Sequence, residues 1–109
     1  MEITIEGKKY QLNFGVGFVR DLDEKYGMSN TAGFSLGMAL TKALPSLNAY
    51  DPAVLAEVIQ YAAEPSVSLA KVDSLIDDPE TDIEKLFADV LKELSKANAV
   101  KLAAKKLKI

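Results

Sequence analysis

The sequence contains no cysteine and no histidine. Without cysteine there is no disulfide framework, no thiolate nucleophile and no cysteine-zinc site. Without histidine there is no imidazole base, no serine triad of the usual kind and no ordinary zinc or iron ligand set. An enzyme built from this chain would have only carboxylates, lysines, hydroxyls and tyrosines to work with, which excludes most reaction templates. Nor is there an apolar run of the roughly 18 residues that a membrane span needs. The first apolar residues alternate with charged ones, unlike a secretory signal peptide, so the chain is expected to stay in the compartment where it is made.

What is present suits a folded protein: 109 residues, 49% apolar and 27% charged, close to the globular average. One domain, 1–109, is expected, burying roughly two-thirds of the surface its unfolded form exposes. The net charge of −3 is unevenly spread. Residues 1–91 hold 15 acids and 7 bases, whereas 92–109 hold one acid, Glu93, and six lysines. Such a split suggests an attachment surface near the C-terminus, although lysines also suit the end of a terminal helix, where the dipole favours cations. Nucleic acid is a poor partner for this end, since the rest of the chain is acidic and the tail has no arginine or aromatic residue to stack on bases. Its few apolar residues, Val100, Leu102, Leu107 and Ile109, include no aromatic anchor for a membrane surface.

Residues 2–14 read as a β-hairpin in which apolar and polar residues alternate. Gly7-Lys8 fits a two-residue turn with glycine first. That register pairs Ile5 with Tyr10, Ile3 with Leu12 and Met1 with Phe14. It makes Ile3, Ile5, Tyr10, Leu12 and Phe14 the hairpin core, facing a helical layer. A helix over 16–26 carries Val16, Val19, Leu22 and Tyr26, with Gly27 as its stop. A loop over 28–33 leads to a helix over 34–44 with Leu36, Leu40, Ala43 and Leu44, ended by Pro45. Asp51-Pro52 opens a third helix with Leu55, Val58, Ile59 and Ala62. Ser68 caps a short fourth helix with Leu69, Val72 and Ile76. Thr81-x-x-Glu84 is a capping box that starts a fifth helix at Asp82, with Ile83, Leu86, Phe87, Val90, Leu91 and Leu94 on its stripe. The expected fold is thus mainly α (α+β): a two-stranded N-terminal β-hairpin packed on five to six helices. The helical part runs over 16–96, and a lysine-rich terminal helix occupies 97–109.

Chemistry finds few footholds. Gly15-x-Gly17 stands at a strand-to-helix junction, but the third glycine of a dinucleotide fingerprint is replaced by Arg20 and no parallel strand precedes it. The preferred reading is that these glycines turn the chain and let the hairpin approach the helix. Asp78, Glu80, Asp82, Glu84 and Asp89 imitate a calcium loop, yet Ile83 takes the place of its glycine and Pro79 the second position. The same acids suit a helix start. Asp21, Asp23 and Glu24 spread over a helix surface and are expected to be solvated. No catalytic, cofactor or metal site is expected.

The stretches "ITIEGKKYQLNFGVGFVRDLDEKYG", "GMALTKALP", "NAYDPAVLAEVI" and "IEKLFADVLKELSKA" together resemble the tail assembly chaperones of long-tailed (siphovirus-type) phages and prophages of Gram-positive bacteria. The resemblance spans about residues 2–96. It implies a non-enzymatic protein of the host cytoplasm that binds the tape measure protein, keeps that long helical molecule soluble and helps recruit tail tube subunits. It also implies absence from the finished particle. A further implication is a second, longer product made by a −1 ribosomal frameshift. Ala104-Lys105-Lys106 is compatible with the slippery codons GCA AAA AAG, which makes Lys105 and Lys106 the candidate frameshift site. Candidate partner-interface residues are Met28 and Met38, with adaptable side chains, and the apolar Leu94, Val100 and Leu107 of the helical stripes. The competing fate for such residues is this domain's own core. A homo-oligomer is expected, since coating a long rod takes many copies. The alternative function is a small cytoplasmic protein-binding or adaptor module unrelated to tails.

Overall fold

The computed structural model describes residues 1–25 and 38–107, Met38 through its backbone only. Strands β1 (Glu2–Ile5) and β2 (Lys8–Leu12) form the antiparallel hairpin. Its turn is Glu6-Gly7, one residue earlier than the Gly7-Lys8 turn suggested by pattern. Ile3 therefore pairs with Tyr10 and Ile5 with Lys8. Both turn residues have positive φ, 51° at Glu6 and 80° at Gly7. Two positive angles in succession mark the primed turn whose twist matches that of the strands. The observed pairing differs from the expected one by two residues, so the alternation of faces survives. Ile3, Ile5, Tyr10, Leu12 and Phe14 are all buried.

Two residues missed by pattern enlarge the sheet to three strands. β3 (Ala63–Glu64) pairs antiparallel with β2 through Leu12–Ala63 and Gln11–Glu64. The Asn13 amide donates to the Ala62 carbonyl at 2.9 Å, and Asn13 Nδ2 donates to Glu64 Oε1 at 3.1 Å. A strand this short has no alternation to read.

Among the described residues there are six helices: α1 (Val16–Lys25), α2 (Met38–Asn48), α3 (Pro52–Ala62), α4 (Leu69–Asp77), α5 (Ile83–Lys96) and α6 (Lys101–Lys106). The α3 helix is central, packing on α1, α2, α4 and β2. Its Val54, Leu55, Ala56, Val58, Ile59 and Ala62 are all buried, and each fully buried large aliphatic side chain contributes roughly 1.5–3 kcal/mol. The caps expected at Asp51 and Ser68 are present.

Elsewhere the stripes and ends shift. In α1 the buried residues are Phe18, Leu22 and Asp23, while Val16 is 63% exposed. The helix is thus turned so that Phe18 meets Phe14 edge-to-face at 5.2 Å. Pro45 does not end α2 but lies inside it, removing only the amide that would have reached the Thr41 carbonyl. The helix continues to Asn48 and buries Leu47. The cap of α5 is Asp82, whose Oδ1 accepts from the Lys85 amide at 3.1 Å. Thr81, the expected cap, instead donates its hydroxyl to the Leu75 carbonyl at 2.7 Å, closing the α4–α5 turn. α6 is shorter than the expected 97–109: α5 ends at Lys96, and residues 98–100 turn before Lys101. Tyr26, Gly27, Met28, the 28–33 loop and Leu36 lie outside the described residues.

Candidate partner-binding groove

An apolar hollow lies where the α2–α3 corner faces α5. Its geometry follows from how α2 stops. The Asp51 amide donates to the Ser46 carbonyl at 3.0 Å and the Tyr50 amide to the Leu47 carbonyl at 3.1 Å. This is the paired closure that places a left-handed residue just past a helix, a position normally given to glycine. Here it holds Tyr50, at φ 64°. Asp51 then caps α3, its Oδ1 accepting from the amides of Ala53 at 3.0 Å and Val54 at 3.3 Å. One residue thus closes α2 and opens α3, and Pro52 follows at the first position of the new helix.

The strained backbone aims the Tyr50 ring outward, 58% exposed, with its edge on Phe87 of α5 at 5.3 Å and 85°. Tyr50, Pro52, Ile83, Glu84 and Phe87 line a hollow of about 310 Å³. A second hollow of about 150 Å³ shares Tyr50 and Phe87 and runs on to Leu47, Ala88 and Leu91. Ile83 is 37% exposed at its mouth and Phe87 is buried at its floor. The apolar stripe expected on α5 is therefore split. Phe87, Val90 and Leu94 go to the core, and Ile83, with half-buried Leu91, faces the groove. Lys85, next along α5, donates to Asp89 Oδ2 at 2.9 Å. That bond, with the carboxylate's charge, raises the Lys85 pKa above the ordinary lysine value.

Sequence patterning points to other residues for a partner. Leu94 and Val100 are fully buried, so they belong to this chain's core and present no surface to another molecule. Leu107 is half-buried and lines a separate hollow of about 380 Å³ with Val19, Leu40 and Ala103. Met28 lies outside the described residues; Met38 opens α2. Lys105 and Lys106 are exposed on the last turns of α6. Sequence patterning does not single out Tyr50. It belongs to no helical stripe, and the only trace of its role is an aromatic residue wedged between a helix stop and the Asp51-Pro52 start.

Other motifs resolve into local structure. The Gly15 amide donates to Asn13 Oδ1 at 3.0 Å, so an asparagine side chain occupies the start of α1. Gly17 has nothing near the place a Cβ would take, so it makes no close approach to the hairpin. Asp78 Oδ1 accepts from the Glu80 amide at 2.9 Å, as in an ordinary turn. Asp21 and Glu24 are exposed as expected, but Asp23 is 1% exposed, and its Oδ1 accepts from the Ala39 amide at 3.1 Å. It thereby ties α1 to the first turn of α2, where helix amides lack partners of their own. Among the described residues, no group of three or more acidic, cysteine or histidine side chains is placed to hold a metal ion. No helix among them is long and apolar enough to cross a membrane.

Comparison with known proteins identifies a family. The family model described as "Phage tail assembly chaperone protein, TAC" covers residues 2–108. No curated protein and no solved structure matches the chain.

Proposed function

The chain belongs to the phage tail assembly chaperone family, and from that premise we propose that it binds the tape measure protein, keeps it soluble and brings tail tube subunits to it. The observation that carries this reading is the extent of the family match, residues 2–108, nearly the whole chain. The physical features agree with it. A tape measure protein is long and helical, and a helix with an apolar stripe aggregates unless another surface covers it. The hollow beside Tyr50 and Phe87 is an apolar surface of the kind that takes such a helix. Cysteine and histidine, frequent carriers of nucleophilic, acid–base and zinc chemistry, are absent, which suits a protein that shelters a substrate rather than converting it.

In this reading the protein acts in the cytoplasm of a bacterium infected by, or carrying, a siphovirus-type phage, leaves before the particle is complete, and works in many copies along its client. A longer form, made by a frameshift at Lys105-Lys106, would carry the contact to the tail tube protein. The gene sequence tests that last point directly. A slippery heptamer at these codons with an overlapping −1 frame supports it, and the lack of either refutes it.

Co-expression tests the main proposal. With this chain present, the tape measure protein encoded beside it should move from the insoluble to the soluble fraction and co-purify. An unchanged soluble yield without co-purification refutes the proposal.

A further inference from the structure

We propose that the groove between the α2–α3 corner and α5 seats an amphipathic helix whose apolar stripe is flanked by lysine or arginine. The client segment it recognises is basic. The inference rests on the chaperone reading for the existence of a client and adds which surface takes it and what chemistry that surface selects.

Shape and charge lead to this together. The two adjoining hollows, about 310 and 150 Å³, share Tyr50 and Phe87 and follow α5 from Ile83 to Leu91. That gives room for two apolar anchors of a helix, which projects side chains three or four residues apart from one face. One carboxylate, Glu84, lines the first hollow, and two more, Asp51 and Asp82, the caps of α3 and α5, are next to its lining residues in the chain. Residues 73–84 hold six acids and no base. The next cation along α5, Lys85, is held by Asp89 at 2.9 Å. A local excess of one sign accelerates encounter with the opposite sign and repels its own. Acidic helices with the same apolar stripe are therefore rejected.

Tyr50 strengthens the assignment. A tyrosine kept in the left-handed region costs stability that glycine would not. What that conformation achieves is an exposed aromatic ring fixed against Phe87, a low-entropy anchor of the type that dominates protein interfaces. A second copy of this chain is the rival occupant, because α6 offers Leu102, 74% exposed, beside Lys101, Lys105 and Lys106.

The test uses the full chain and two labelled helical peptides of about 18 residues, a length at which helices hold together. They share one leucine stripe and differ in having lysine or glutamate flanks. Fluorescence anisotropy should show the lysine peptide binding about tenfold tighter or more, with the gap shrinking at about 0.5 M salt. Ile83→Ser should weaken both peptides, and Glu84→Lys should erase or reverse the preference; neither residue is buried, so both variants keep the fold. Equal affinities, no binding of either peptide, or variants that bind like the parent overturn the proposal. So does sedimentation showing self-association that Ile83→Ser abolishes and the lysine peptide does not displace, which assigns the groove to a second copy. The co-expression assay separates the two levels. If the parent chain solubilises the client and Ile83→Ser does so equally, the groove assignment falls and the chaperone reading stands. If the parent chain fails there, the chaperone reading falls whatever the peptides do.

Discussion

Asp23 and Tyr50 are the two residues whose surroundings depart most from what their types suggest. Asp23 is buried in a helix whose other acids are exposed, and its side-chain oxygen accepts from an amide at the start of α2. Removing it leaves that amide in the interior without this partner, at a cost of about 1–3 kcal/mol. Asp23→Ala should therefore lower the urea midpoint, and Asp23→Asn, which keeps an acceptor oxygen, should recover part of the loss. Tyr50 can be dissected in the same way. Tyr50→Ala and Tyr50→Gly both lose the contact with Phe87, but only glycine relaxes the positive φ. The glycine variant should be the more stable of the two by about 1 kcal/mol. Equal stabilities would mean that the corner stores no strain. Lys85 gives a check at high pH. Its folded pKa is raised by Asp89, so the contribution is fully present below the ordinary lysine value and is lost as pH rises through the folded value. Around neutrality it is constant.

Among the elements, the hairpin turn and α2 are where structure and sequence pattern part company most instructively. The turn carries Glu6 at φ 51°, an angle that asparagine tolerates far better than glutamate. Glu6→Asn should raise stability by about 0.5–1 kcal/mol, read from thermal or urea unfolding; a loss would contradict the strain assigned to Glu6. Pro45 lies exposed within α2 and leaves the Thr41 carbonyl without its helical donor. Pro45→Ala should stabilise the protein by about 1–2 kcal/mol once the stiffness that proline gives the unfolded chain is offset. What made α3 legible was redundancy, since an N-cap, a first-turn proline and an apolar run all agree there. The hairpin core was equally plain, because alternation survives a two-residue change of register. The end of α2 was not legible, because the burial of Leu47 beyond Pro45, a tertiary contact, favours carrying the helix past the proline. Likewise, two adjacent residues, Thr81 and Asp82, were each competent to cap α5, and sequence alone does not choose between them. β3 is too short to have a pattern at all.

For the whole molecule, the family assignment came from the order of many weak motifs along the chain, and the match over residues 2–108 bears it out. The docking surface did not come that way. Apolar stripes mark residues that leave water but not whether they leave it for this chain's core or for another molecule. Leu94 and Val100 went to the core, whereas the groove is built from a strained corner, Tyr50, and the helix start at Ile83, which only the folded arrangement brings together.

The central claim is that this protein shields another chain from aggregation. It is tested most directly by diluting denatured tape measure protein into buffer and following light scattering as the chaperone is titrated in. Scattering should fall with each addition and level off at a fixed molar ratio. A scattering trace that matches an equal mass of an unrelated acidic protein at every ratio would contradict the account.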